Sequence, residues 1–159
     1  MTLEEKIAMA NQVRSRDRFG PVSPEELAAL PGTETELWIE TANGCEIHVF
    51  EERPDTLPPK AALLLNFHGG GFIKGRTDRD RRYCCTLMER LNCLVWDVDY
   101  CLAPEKAFPA AVHESCGIEA GVCVTAQRIP EAMHGFTTNR TPGWERALDA
   151  HCKFFREHL

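Results

Sequence analysis

Ala61-Ala-Leu-Leu-Leu-Asn-Phe-His-Gly-Gly-Gly-Phe72 is the stretch that decides the fold. Its first seven residues are a nearly unbroken apolar run, which suits a strand buried on both faces of a parallel sheet. Gly69, Gly70 and Gly71 then let the backbone turn tightly and aim N–H groups at a negative charge with no side chain in the way. Beyond them, residues 78–92 read as a helix with Tyr83, Leu87 and Leu91 on one stripe. Cys93-Leu-Val-Trp-Asp-Val98 reads as a second buried strand. A strand, a helix and a strand in that order imply a right-handed parallel crossover.

Upstream, residues 34–41 and 45–52 alternate as strands and flank Ala42-Asn43-Gly44, a strong hairpin signal. Residues 53–60, with Pro54, Pro58 and Pro59, are a loop. Two short helices are expected at 3–16 and 24–30. Ser23 caps the second, with Pro24 at its first position and Glu26 three residues after the cap. Downstream, 108–119 reads as a helix, 122–129 as a strand and 144–158 as an amphipathic helix. The alternation is that of an α/β sheet, mostly parallel, with an antiparallel hairpin at one edge.

At 159 residues the chain has the length of one domain, and 43% hydrophobic with 26% charged residues is ordinary for a globular protein. A net charge of −6 argues against a nucleic-acid partner, which calls for a basic stripe. No apolar run nears the ~18 residues of a membrane span. Residues 1–19, charged and amphipathic, lack the apolar core of a secretory signal, so a cytoplasmic location is expected. Eight cysteines without a CxxC pair read as free, partly buried thiols, and neither a metal site nor a cofactor is expected.

The chemistry that needs a glycine loop after a buried strand is acyl transfer, because pre-aimed amides stabilise the oxyanion of a tetrahedral intermediate by several kcal/mol. A phosphate cradle fails on spacing: Lys74 is followed by Gly75, and no GxGxxG with an acidic ribose binder exists. A plain glycine-rich turn is the remaining alternative.

His68-Gly-Gly-Gly-Phe72, Asp97-Val-Asp-Tyr-Cys-Leu-Ala-Pro-Glu105 and Phe108-Pro-Ala-Ala111 resemble the front half of a hormone-sensitive-lipase-like esterase of the α/β-hydrolase fold. Ala120-Gly-Val-Cys-Val-Thr125 followed by His134-Gly135-Phe136 resembles the family's tail, where a strand delivers the catalytic histidine. One departure is Cys101, where the family usually has arginine. The resemblance implies a carboxylic-ester hydrolase acting on small-molecule esters. It puts oxyanion donors at Gly70 and Gly71, with Gly69 shaping the turn, and the general base at His134. His68, Phe72 and Tyr100 support the motif; His48, His113, His151 and His158 carry none and read as surface or packing residues. Residues 1–32 would be cap-like helices and 33–159 the hydrolase domain.

Two parts of the triad are missing. The nucleophile must lie between the glycine loop and His134, and Ser115 is the only serine there. His113-Glu-Ser-Cys-Gly117 imitates an elbow, but a crossover of ~10–12 residues and a strand of roughly 5 do not fit before it. Cys116 and Cys123 lie on no elbow. No aspartate occurs between Asp99 and Asp149, and Glu119 and Glu131 match no motif. An internal deletion near Gly117 accounts for both gaps, with residues 118–159 as the family's tail. The expected product is an inactive or very weak esterase, or else a non-catalytic binding module or non-functional fragment. The expected sheet has an open edge through which it can self-associate.

Overall fold

The computed structural model describes residues 1–40, 46–116 and 137–158. Helix α1 (Leu3–Arg14) opens with Thr2 and Glu5 capping each other, the Glu5 carboxylate accepting from Thr2 N at 2.7 Å. Helix α2 (Pro24–Ala28) starts as expected, the Ser23 hydroxyl accepting from Glu26 N at 3.1 Å. Strands β1 (Thr33–Glu40) and β2 (Glu46–Arg53) pair antiparallel with Trp38 opposite His48. The turn that joins them lies outside the described residues, as do the predicted strand 122–129 and His134.

Strand β3 (Leu63–Phe67), helix α3 (Asp78–Leu91) and strand β4 (Leu94–Val98) form the expected crossover, with β3 and β4 parallel. Helix α3 is closed at one end by the Asp80 carboxylate, which accepts from Thr77 N at 2.9 Å and the Thr77 hydroxyl at 2.7 Å. At the other end Asn92 takes a left-handed conformation, which asparagine tolerates better than most residues. Helices α4 (Ala110–Cys116) and α5 (Trp144–His158) complete the described elements.

The described sheet is mixed, in the order β1-β2-β4-β3, with β2 antiparallel to β4. Alternation along β4 divides the core into two layers. Val95 faces Leu64, Tyr83, Leu87, Met88 and Leu148, the filling between sheet, α3 and α5. Val98 faces Ile47, Val49, Tyr100 and Ala111 on the other side. Helix α5 is fastened to α3 where the Tyr83 hydroxyl meets His151 Nδ1 at 2.7 Å. Burial holds His151 below the ordinary imidazole pKa, so the neutral ring can accept the phenol's hydrogen bond at Nδ1.

Two expectations change. Strand β3 is not buried on both faces: among the described residues it pairs only with β4, and Leu63 and Phe67 stay 44% and 43% exposed. Helix α1 is not held by an apolar stripe, since it buries only Ala10 and leaves Leu3, Met9 and Val13 exposed. A polar anchor replaces the stripe: Arg14 Nε donates to Ile73 O at 2.9 Å, and its terminal nitrogens bond Ala103 O and both Glu105 carboxylate oxygens. No helix among the described residues is long and apolar enough to cross a membrane.

Candidate functional site

The glycine loop follows β3 directly, and the two peptide planes that carry the Gly70 and Gly71 amides are tied down on the carbonyl side. The buried His68 ring lies with Nδ1 2.8 Å from the Gly69 carbonyl oxygen. The Gly70 carbonyl accepts from Ile73 N at 3.2 Å and Lys74 N at 3.1 Å. A trans peptide sets its N–H opposite its C=O. The Gly70 amide therefore points away from the histidine ring, and the Gly71 amide away from the 73–74 turn. Neither amide donates to a protein acceptor among the described residues. Two such donors can hold an anionic oxygen.

Only glycine fits the middle position. Gly70 has φ +143°, and a Cβ there would sit 2.2 Å from the Lys74 carbonyl oxygen. Phe72 continues the turn at φ +60° and its carbonyl accepts from Ala103 N at 2.8 Å. The loop is thereby tied to the segment after Tyr100, which Arg14 also grips.

Behind the loop, the Tyr100 hydroxyl donates to the His68 carbonyl at 2.7 Å and its ring stacks on the imidazole, centroids 4.3 Å apart. His68 Nε2 lies 3.3 Å from Asp99 Oδ1, at ion-pair distance but outside good hydrogen-bond geometry. Burial disfavours the His68 cation, yet Asp99 and the Gly69 carbonyl outweigh it and raise the imidazole pKa. The same contact holds the Asp99 carboxyl below its ordinary value.

The neighbouring buried charges are structural. Arg76 places Nε 2.5 Å from Asp97 Oδ2, while a terminal nitrogen meets Glu34 at 2.5 Å and Glu52 at 3.4 Å. Asn66 Nδ2 donates to the remaining Asp97 oxygen at 2.6 Å. Asp97 is thus consumed in tying β3, β4 and the loop together, whereas Asp99, two residues on, faces the histidine.

A cavity of about 250 Å³ opens at the loop, lined by Gly69, Gly70, Phe19, Asp80, Thr138 and Asn139. The N-terminal segment and the tail thus both reach the glycine turn. The Arg82 guanidinium donates to Thr138 O at 3.0 Å and fixes the tail there.

The structure therefore brings His68, Gly69, Gly70, Gly71, Phe72 and Tyr100 together. Ser115 is the sixth residue of α4 and does not stand at a strand-to-helix turn. Cys101 is no thiolate: burial and Glu114 push its thiol up to about 11. Glu119, Glu131, Cys123 and His134 lie outside the described residues. Among the described residues, no group of histidine, cysteine and carboxylate side chains is placed to hold a metal ion. The sequence reading missed Asp99, Arg14 and His48. His48 Nδ1 lies 3.3 Å from Asp99 Oδ2, and Nε2 is 2.7 Å from Glu36 Oε1. No motif marks these residues; strand alternation alone put Glu36, Trp38 and His48 on a common face.

The alpha/beta hydrolase fold family matches residues 64–118, which run from the second residue of β3 through the glycine loop, α3, β4 and α4. An AB hydrolase superfamily protein of Schizosaccharomyces pombe is 31% identical over 106 residues, 65% of this chain and 29% of that protein. Human hormone-sensitive lipase is 36% identical over 62 residues, 39% of this chain and 6% of the lipase. The thermophilic carboxylesterase EstE1, cloned from a metagenomic library, superposes with a TM-score of 0.53 at 26% identity. That superposition covers 74% of this chain and 37% of the carboxylesterase. The chain thus spans less than two fifths of each of these proteins. With the loop and the crossover agreeing, the chain carries part of an α/β-hydrolase fold and is similar there to hormone-sensitive-lipase-like esterases and lipases.

Proposed function

We propose that this chain is a shortened carboxylic-ester hydrolase that keeps the oxyanion cradle and lacks the attacking group. Gly70 and Gly71 are the donors, Gly69 shapes their turn, and His134 is the base that descends from the family. The observation that carries this reading is the pair of amides left without acceptors while the carbonyls of their own peptides are tied. Such donors stabilise charge only where it develops, and they retain part of the catalysis when a triad is broken.

Three observations support the loss of a block near Gly117. The chain contains no GxSxG elbow, Ser115 is helical, and the family match stops at residue 118. The approach of Thr138 and Asn139 to the glycine loop supports a tail that returns to the site. Residues 1–32 act as a reduced cap, with Phe19 over the cavity. Small activated esters are the substrates to try.

The test is a fluorophosphonate probe together with p-nitrophenyl acetate hydrolysis. The expected result is no covalent adduct and a slow hydrolysis that His134→Ala lowers further. Stoichiometric labelling of Ser115, or hydrolysis unchanged by His134→Ala, overturns it.

A second reading, a binding module, is favoured by the exposure of Leu63 and Phe67 on β3. An exposed apolar edge invites another strand. Size-exclusion chromatography separates the two: a defined dimer that Leu63→Lys dissolves supports the module, and a monomer removes it.

A further inference from the structure

The glycine loop is joined to the hairpin by a run of imidazoles and carboxylates, hydrogen-bonded at its two ends and at ion-pair distance, 3.3 Å, on both sides of Asp99. Glu36 Oε1 faces His48 Nε2, His48 Nδ1 faces Asp99 Oδ2, Asp99 Oδ1 faces His68 Nε2, and His68 Nδ1 faces the Gly69 carbonyl. Every ring nitrogen in the chain confronts an oxygen. A neutral imidazole has one N–H and one lone pair, so the neutral ring points a lone pair at one of these oxygens. Each of the four nitrogens presents an N–H to its oxygen only when both rings carry two protons. Asp99 is then a single carboxylate divided between two cations.

We propose that His48 and Glu36, on the β1–β2 hairpin, are positioning residues for the glycine loop, acting through Asp99 on the proton that His68 Nδ1 holds against the Gly69 carbonyl. This rests on the reading of Gly70 as an oxyanion donor, because that carbonyl and the Gly70 amide share one peptide plane. When Nδ1 loses its proton, a lone pair faces the Gly69 oxygen and the plane is released. When His48 is charged it draws on Asp99 and weakens the hold on His68; when His48 is neutral, Asp99 serves His68 alone.

His48 is accessible for this role. Its side chain is 17% exposed and opens on a cleft of about 510 Å³. The charged groups that face it are Glu36 on β1, Glu46 on its own strand, Asp99 after β4, Glu114 on α4, Lys106, and the Arg14–Glu105 pair. His68 faces Asp99 and, at longer range, Asp80 of α3.

The test follows the ring nitrogens by ¹⁵N NMR through a pH titration of the full chain. His48→Gln removes the competing cation and is expected to move the His68 midpoint upward by about 0.5 pH or more. Glu36→Gln removes the carboxylate that holds His48 Nε2 and is expected to move the His68 midpoint the same way by less. Glu36 is 58% exposed, so this variant keeps the fold if His48→Gln does not. The Gly70 amide resonance is expected to titrate with His68 in each protein. A His68 midpoint that stays within about 0.2 pH in both variants, or a Gly70 amide indifferent to it, overturns the proposal. Coupled titration in a chain that hydrolyses no ester leaves this inference standing and removes the oxyanion reading; hydrolysis with a fixed midpoint does the reverse.

Discussion

Tyr100 holds His68 at two points, its hydroxyl on the backbone carbonyl at 2.7 Å and its ring flat on the imidazole at 9° between planes. Both residues are buried, so the carbonyl has no water to fall back on. Tyr100→Phe keeps the stack and removes the donor. It is expected to cost about 1–2 kcal/mol in urea unfolding. A loss below about 0.3 kcal/mol would show that the carbonyl finds another donor.

The three loop glycines are expected to respond unequally to alanine. Gly70→Ala drives a methyl into the Lys74 carbonyl from a backbone angle that L residues rarely adopt. It is expected to cost more than about 2 kcal/mol. Gly71 has open space but φ +62°, and roughly 1 kcal/mol is expected there. Gly69 has neither obstacle, so alanine is expected to be nearly neutral. Denaturant midpoints of the three variants check the ranking.

Glu52 lies wholly buried beside Arg76 and Arg81. Burial, and then the charge of Glu34, push its carboxyl up to about 7. The folded chain therefore keeps a proton that the unfolded chain releases near pH 4.5, and stability falls as pH rises through this window. Asp97, raised by burial, adds to the fall, and His68 adds to it as pH passes through its raised pKa. Asp99, lowered by His68, acts only at acid pH, where its protonation removes stability. A loss on the order of 1–3 kcal/mol is expected between pH 5 and 8. Glu52→Gln keeps the shape without the ionisation and is expected to flatten most of that slope in thermal melts.

Arg14 carries the attachment of α1 through a fork that bonds two carbonyls and one carboxylate. Arg14→Ala is expected to expose the segment around Phe19 to chymotrypsin on the order of tenfold faster. Arg14→Lys is not expected to restore protection, because an ammonium lacks the planar fork. Equal cleavage rates in all three proteins would count against the anchor.

The hairpin, the crossover and the last helix were legible because each rests on local periodicity: Trp144–His158 is the predicted helix to the residue. The glycine turn was legible because the required backbone angles select glycine. What escaped was set by tertiary pairing. Nothing local distinguishes Asp97, spent on Arg76 and Asn66, from Asp99, which faces two histidines. His48 carries no motif and read as surface or packing, yet its register opposite Trp38 and beside Asp99 makes it part of the loop's support. Arg14 likewise looks like one more helix-end cation until its partners, about 60 and 90 residues away, are in view. The exposure of β3 was masked by composition, since an apolar run reads the same at the centre of a sheet and at its margin.

The indole of Trp38 is 64% exposed and stacks on His48 at 4.3 Å with 12° between planes. A charged imidazole against an indole face both attracts it and drains its excited state. Trp38 emission is thus a built-in optical gauge of the hairpin histidine, bright when the ring is neutral and dim when it is charged. With Trp96 and Trp144 replaced by phenylalanine, steady-state fluorescence can follow that change at micromolar protein without isotopes.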